Sequence, residues 1–168
     1  AALYHTLNHA LFKSLLFLGA GAIAQHGHER DLEHMGGLIH RMPWTALFFL
    51  IGCLSISALP PFNGFVSEWL TFQTALQATT LESGVLRAVI PISAAVLALS
   101  GALAATCFVK VYGGAFLGQA RTRRVRHARE ASIGMVLAQG TLAALCLLFG
   151  VFPTNTVGFL SKITLDLT

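Results

Sequence analysis

Long apolar stretches without charged residues alternate with short polar segments along this chain. Residues 88–109 and 132–152 each carry no charge over about the 20 residues that a helix needs to cross the hydrocarbon of a bilayer. Shorter apolar segments precede them. The pattern predicts an all-α, polytopic transmembrane helix bundle with helices at 3–23, 43–59, 65–79, 88–117 and 132–152. The residues that follow, 153–168, read as a weakly amphipathic end or the start of a further helix.

A helix-breaking sequence separates the second and third apolar segments. Residues 60–64 read Pro-Pro-Phe-Asn-Gly, which cannot continue an α-helix. Non-helical backbone at membrane depth is tolerated where it is buried in protein or lines a watery cavity, and interrupted helices recur at ion sites in transporters. We therefore predict a discontinuous helix or helix break near residues 60–64. The alternative is a plain turn outside the membrane between two short helices.

The polar segments are predicted to lie at or outside the membrane interface. Residues 118–131 form a basic loop in which a single glutamate, Glu130, stands against the arginines Arg121, Arg123, Arg124, Arg126 and Arg129. Clustered arginine between two spans marks the cytoplasmic side of a membrane protein. Nucleic-acid binding is not expected from so short a loop between spans.

Composition agrees with a membrane protein. Of the 168 residues, 55% are hydrophobic and only 11% are charged, compared with about 25% charged residues in a soluble domain. The first residues lack the basic start and the small-residue cleavage site of a secretory signal. We therefore expect residues 1–168 to be a single membrane-domain fragment of a longer chain.

The cysteines and most histidines do not indicate a metal site. Cys53, Cys107 and Cys146 lie in apolar runs without CxxC spacing and are interpreted as small core residues. A group of histidines follows the first helix, but no neighbouring cysteine or HExxH pattern accompanies it; these are His26, His28, His34 and His40. We predict neither a metal nor a cofactor in this chain.

Three titratable residues share one face of the first helix. His5, His9 and Lys13 are spaced four residues apart, which in an α-helix gives a polar stripe with a rise of about 6 Å per step. Histidine exchanges a proton near neutral pH because its unperturbed pKa is about 6.5. We interpret the stripe as a proton relay. The alternative is that the two histidines bond to neighbouring helices and the lysine pairs with a fixed anion.

Glu68 and Lys110 are the other charged residues in apolar surroundings. A charged side chain inside the bilayer costs about 2.5–3.5 kcal/mol and is normally retained for function. Glu68 is expected in the first turn after the break, either exchanging protons or stabilising the helix start through the dipole. Lys110 is interpreted either as a proton-transfer residue or as a lysine that reaches towards the headgroups from its helix end.

The chain resembles the antiporter-like membrane subunits of respiratory complex I, group 4 membrane-bound hydrogenases and Mrp-type cation/proton antiporters. The resemblance rests on HTLNHALFKSLLFLGAG (5–21), DLEHMGGL (31–38) and LSISALPPFNGFVSEW (54–69), and the PPFNGFVSEWL form is most similar to the large antiporter-like subunit of the hydrogenases. It covers residues 1 to about 118 well and the remainder only by hydropathy. It implies a subunit of about fourteen helices in inverted repeats, of which this chain would be the C-terminal part.

The resemblance also implies function and site residues. His5, His9 and Lys13 match the family's central His/His/Lys helix, and Glu68 matches a Lys-or-Glu position beside the broken helix where protons leave. The implied role is proton translocation in the plasma membrane of a prokaryote, with other membrane subunits of a redox complex as partners and with the redox chemistry in those partners. Three alternatives remain: a gradient-driven Na⁺/H⁺ antiporter, a structural anchor without transport, and a solute transporter.

Overall fold

The computed structural model describes residues 1–27 and 29–166; His28, considered above as part of a metal-binding pattern, lies outside the described residues. Seven α-helices follow one another within these ranges: α1 Ala2–His26, α2 Pro43–Ile56, α3 Asn63–Leu76, α4 Gly84–Phe116, α5 Arg123–Arg126, α6 Ile133–Val151 and α7 Pro153–Asp166. Short 3₁₀ turns lie at Leu32–His34, Leu38–His40 and Gln77–Thr80. The all-helical fold is confirmed.

Three of the described helices, α1, α4 and α6, are long and apolar enough to cross a membrane, and α2 is a shorter apolar helix. α4 begins four residues earlier than the predicted start at residue 88, because the Ser83 hydroxyl accepts a hydrogen bond from the Leu86 amide and caps the helix at 3.5 Å. The tail, for which two interpretations were open, forms α7 from Pro153 onward.

α1 lies at the centre and packs against α2, α3 and α6. Close approach to α2 depends on two glycines: a Cβ at Gly19 would lie 2.5 Å from the Phe49 ring, and one at Gly52 would lie 2.9 Å from Leu16. Cys53 and Cys146 are buried in this core as predicted, whereas Cys107 is exposed on α4. The core interpretation was therefore wrong for Cys107, because the most apolar stretch of α4 has no residue buried against the other described helices.

The break between α2 and α3 covers residues 57–62, which confirms a helix break near residues 60–64. The flanking helix ends differ from the prediction, because α2 ends three residues before residue 59 and α3 begins two residues before residue 65. Asn63 and Gly64 already belong to α3, since Phe62 with extended backbone provides its N-terminal boundary. Ala58 turns the chain out of α2 with a φ of 51°.

Two glycines let the break sit directly on neighbouring backbone. A Cβ at Gly64 would overlap the Ser55 carbonyl oxygen at the end of α2, and one at Gly150 on α6 would overlap the Pro61 carbonyl oxygen. Neither position has room for any side chain. The break is therefore held between α2, α3 and α6 by backbone contact.

The segments between α1 and α2 and between α4 and α6 form a polar layer at one end of the bundle. Residues 36–37 dock on the end of α4, where the Gly37 amide donates to the Leu117 carbonyl at 2.9 Å. A Cβ at Gly36 would overlap the Gln119 carbonyl oxygen, and its φ of 136° also requires glycine. The segment that precedes α2 and the basic loop are therefore packed together.

Glu130 connects the basic loop to α2. Its carboxylate accepts hydrogen bonds from the Trp44 amide at 2.8 Å and from the buried Thr45 hydroxyl at 2.6 Å. These contacts lie in the first turn of α2, where the amides lack helical partners and a negative charge is favoured. The one glutamate of the basic loop thus caps a membrane helix that is more than eighty residues earlier in the chain.

Candidate functional site

The first titratable residue of the stripe lies against the helix that follows the break. His5 is half-buried, and its Nδ1 is 3.1 Å from the Ser67 hydroxyl oxygen on α3. The Ser67 hydroxyl in turn donates to the Gly64 carbonyl at 2.9 Å. Because a serine hydroxyl has one proton to donate, it accepts from His5, whose Nδ1 is therefore the protonated nitrogen. His5 Nε2 is left to accept a proton.

A pair of fully buried asparagines holds α1 and α3 together one turn further on. The Asn8 side-chain nitrogen donates to the Asn63 backbone carbonyl at 3.1 Å, and the Asn63 side-chain nitrogen donates to the Asn8 side-chain oxygen at 3.1 Å. Neither residue was identified from the sequence. Candidate residues were recognised in the sequence by a charged or titratable side chain in an apolar helix. Asparagine is neither charged nor titratable, so this criterion does not select it.

A tyrosine adds a third connection, from α1 to the end of α6. The buried Tyr4 hydroxyl donates to the Phe149 carbonyl at 2.5 Å, next to the glycine that contacts the break. Together with His5 and Asn8 it attaches one face of α1 to α3 and α6, which both lie against the break. Buried side-chain atoms without a described partner lie in the surrounding helices, namely the Ser55 hydroxyl, Asn63 Oδ1 and both amide atoms of Gln139.

The structure joins only part of the predicted relay. The rings of His5 and His9 lie with their centroids 6.1 Å apart, while His9 and Lys13 are exposed on the face of α1 that the other described helices leave uncovered. Lys13 stands at the middle of α1 and makes no hydrogen bond or ion pair with the residues that the structure describes. The stripe therefore runs from a contact with α3 to an open helix face.

Glu68 lies on the side of α3 that faces α4. It is half-buried, and a Cβ added at Gly101, near the middle of α4, would be 3.6 Å from Glu68 Oε2. Because α3 begins at Asn63, Glu68 is in the second turn, and its predicted place in the first turn was wrong. The influence of the helix dipole falls off within the first turn, so the helix-start interpretation loses its basis.

Lys110 lies apart from the other candidate residues. It is exposed six residues before the end of α4 and lines a shallow cleft of about 400 Å³ with Glu33 and Arg121, both of which belong to the polar layer. This position is the one expected for a lysine whose charged end reaches the interface. No described contact links it to His5 or Glu68.

A cleft of about 750 Å³ opens between α1, α3 and α4 beside His5. Hydroxyl groups contribute to its walls, from Thr6, Thr71, Thr74 and Ser93. Each of these hydroxyls bonds to a carbonyl of the preceding turn of its own helix, which leaves its oxygen able to accept a further hydrogen bond. The cleft therefore places several hydroxyl groups near His5 within otherwise apolar walls.

Comparison with known proteins places these features in context. Residues 1–98 match the family described as NADH:quinone oxidoreductase/Mrp antiporter, transmembrane. Hydrogenase-4 component B of Escherichia coli (strain K12) is 52% identical over 147 residues, covering 88% of this chain and 22% of the relative. Formate hydrogenlyase subunit 3 of the same organism is 42% identical over 149 residues, covering 89% of this chain and 24% of the relative.

More distant relatives include antiporter subunits. One subunit of the Na⁺/H⁺ antiporter of Alkalihalophilus pseudofirmus is 36% identical over 159 residues, covering 91% of this chain and 19% of the relative. The chain thus spans about a quarter or less of the length of these curated relatives. These alignments cover 147 to 159 residues and therefore extend beyond residue 118. The expectation that the remainder is similar only in hydropathy was wrong.

Two solved structures share the fold. A chain of the archaeal membrane-bound sulfane sulfur reductase superposes with a TM-score of 0.70 at 27% identity, covering 90% of this chain and 23% of that one. A chain of the Mrp complex from a Dietzia species superposes with a TM-score of 0.68 at 20% identity, covering 88% of this chain and 34% of that one. The second likeness concerns the fold alone.

Proposed function

Since the chain belongs to the NADH:quinone oxidoreductase/Mrp antiporter transmembrane family, we propose that it carries protons across the membrane within an antiporter-like component of a redox-driven complex. The observation that supports this most directly is the hydrogen bond between His5 and Ser67. It joins the helix that bears the titratable stripe to the helix that bears Glu68, at the point where the backbone is interrupted.

In the proposed mechanism, a proton moves by steps along α1 and is handed to α3. His5 uses Nδ1–H for Ser67, so its other ring nitrogen exchanges protons with the cleft or with His9. Lys13 is one further turn along the stripe. Glu68, next to Ser67 and facing the middle of α4, is the proposed acceptor on the far side of the break.

The driving force is assigned to partner subunits. Electron transfer in a redox module would change the charge near one end of the relay and thereby shift the proton affinity of Lys13 and its neighbours. The relatives of highest identity quoted above are a component of hydrogenase-4 and a subunit of formate hydrogenlyase. We propose a partner complex of the membrane-bound hydrogenase or complex I type in the plasma membrane of a prokaryote.

A second function is that of a Na⁺/H⁺ antiporter of Mrp type, which is favoured by the 36% identity to a component of such an antiporter. It would use the same residues with an ion gradient in place of electron flow.

A third candidate function is a structural anchor without transport. It requires that neutralising Lys13 or Glu68 leave proton movement unchanged.

The proposal is tested by Lys13→Ala in the full-length protein, assembled in its complex in inverted membrane vesicles. Loss of a positioned proton-transfer group costs about a hundredfold or more in rate, so we expect proton uptake driven by electron transfer to be nearly abolished. Electron transfer itself is measured in the same vesicles.

Arg87→Ala is the matched control, because Arg87 is an exposed cation in the first turn of α4. We expect it to keep the parental rate of proton uptake. If Lys13→Ala also keeps that rate while the complex is intact, the relay through α1 is disproved and the anchor function gains support.

A further inference from the structure

A basic pocket lies at the end of α1 in the polar layer. It has a volume of about 860 Å³, and its walls are formed by Ala24, Glu29, Arg30, Arg123, Arg124 and His127. Two short segments that are distant in sequence thus bring their arginines to one opening. Ala24 belongs to the last turn of a helix long enough to cross the membrane, so the pocket lies where such a helix leaves the apolar layer.

The arginines of this pocket are held outward by the fold. Val125 is fully buried in the core, and the Thr122 hydroxyl caps α5 by accepting from the Val125 amide at 3.4 Å. His127 donates from Nδ1 to the Arg123 carbonyl at 2.9 Å, which fixes its ring beside them. With its apolar residue anchored, α5 presents Arg123 and Arg124 on the exposed side.

The three arginines of this pocket outnumber its one carboxylate, Glu29, and form no ion pair with it in the part of the chain that the structure describes. Arg30, Arg123 and Arg124 make no ion pair there; the ion pair that is present joins His34 to Asp31 at 3.7 Å. Glu29 shares the pocket, but its Oε1 already accepts from the Arg30 and Asp31 amides at 3.0 and 3.4 Å. The pocket therefore has guanidinium donors available for an anion.

An apolar groove continues from the same pocket between the helices. This groove, of about 210 Å³, shares Ala24, Glu29 and Arg30 with the pocket. Its walls are otherwise apolar, formed by Ala20, Ile23, Leu32, Phe49, Val111 and Ala115, with Met35 at the side of the loop. A free inorganic anion would use only the charged part of this combined site.

We propose that the pocket and groove together bind an anionic phospholipid, with the phosphate on Arg30, Arg123 and Arg124 and one acyl chain in the groove between α1, α2 and α4. Planar guanidinium groups bind phosphate oxygens in bidentate fashion, and basic pockets between membrane helices on the cytoplasmic side suit such headgroups. Trp44, 56% exposed at the start of α2, lies in the same layer and is the type of residue that marks the interface.

The experiment uses the full-length protein in its detergent-purified complex and measures binding of short-chain phosphatidylglycerol, with phosphatidylcholine of equal chain length and inorganic phosphate as comparison probes. Arg124→Gln removes a pocket cation, and we expect its Kd for phosphatidylglycerol to rise about tenfold, as for the loss of one charge-assisted hydrogen bond. Arg129→Gln is the matched control, since Arg129 is exposed in the same loop but lies outside the pocket. Its Kd should equal that of the parent.

A third variant separates a lipid from a free anion. Ala20 is exposed on α1 and lines only the groove, so Ala20→Phe should weaken phosphatidylglycerol binding and leave phosphate binding unchanged. Equal weakening by Arg124→Gln and Arg129→Gln would overturn the site in favour of diffuse attraction by the loop. Parental lipid affinity in Ala20→Phe, or equal affinity for the two phospholipids, would overturn the lipid assignment. None of these outcomes depends on proton transport.

Discussion

At the scale of single residues, polar groups in the apolar helices α1 and α3 serve two different purposes. Two hydrogen bonds join Asn8 and Asn63 in the fully buried interior, whereas His5 is half-buried between Ser67 and an open cleft. A buried polar group without a partner is costly, so the asparagine pair has a structural role that fixes the break. The histidine, with one ring nitrogen still available, is suited to chemistry.

The sequence identified the titratable residues but not their partners. His5 was recognised because its spacing with His9 and Lys13 is visible within one helix. Ser67 and Asn63, which contact α1 in space, lie more than fifty positions away along the chain, and nothing in their local pattern indicates which helix they meet. For Glu68, the residue type suggested a role in proton exchange but gave no indication of α4, where Gly101 lies beside the carboxylate.

Glu68→Gln tests the proposed acceptor. The glutamine amide has the same shape as the carboxyl group but cannot bind and release a proton. We therefore expect the number of protons moved per electron to fall sharply while the complex stays intact. Glu82→Gln in the exposed connection before α4 provides the control for charge loss alone. An unchanged proton-to-electron ratio in Glu68→Gln would remove this residue from the pathway.

At the scale of elements, the long apolar stretches without charged residues located the long helices but not their ends. The two prolines indicated that α2 must stop, yet proline is compatible with the residues just before a new helix, and α3 resumes directly at Asn63. The capping of α4 by Ser83 similarly extends that helix into a segment whose polarity suggested a loop. Helix ends depend on individual hydrogen bonds, which composition does not reveal.

Gly64→Ala tests the backbone contact that holds the break. Its new Cβ would overlap the Ser55 carbonyl oxygen, so α2 or α3 must move, and such overpacking costs about 1–3 kcal/mol or more. We expect a lower Tm for the purified complex. Gly21→Ala is the control, because a Cβ at Gly21 on α1 meets no atom within 4 Å. Equal Tm values for the two variants would mean that the break is not held by this contact.

At the scale of the whole molecule, the chain presents large apolar surfaces. In the most apolar 18-residue stretch of α4, no residue is buried against the rest of the described chain. The open face of α1 carries Lys13. These surfaces are suited to lipid or to other membrane helices, as expected for a chain that spans about a quarter of relatives such as hydrogenase-4 component B.

Copurification and ion flux distinguish the candidate complexes. We expect a nickel–iron or quinone-linked redox protein to copurify with the full-length chain. In vesicles, we expect proton movement to require an electron donor. Proton movement driven by an imposed Na⁺ gradient, without an electron donor and with only small antiporter-type subunits present, would instead establish the Mrp-type function.

Glu130 gives α2 an unusual position in the molecule. The helix is a rod of fourteen residues, about 20 Å long. One end is fastened to the arginine-rich loop by a carboxylate, and the other runs into the interrupted backbone beside α3. A single helix thus connects the arginine-rich loop to the break, so a substitution at Glu130 would act on the same helix that supports the interrupted backbone.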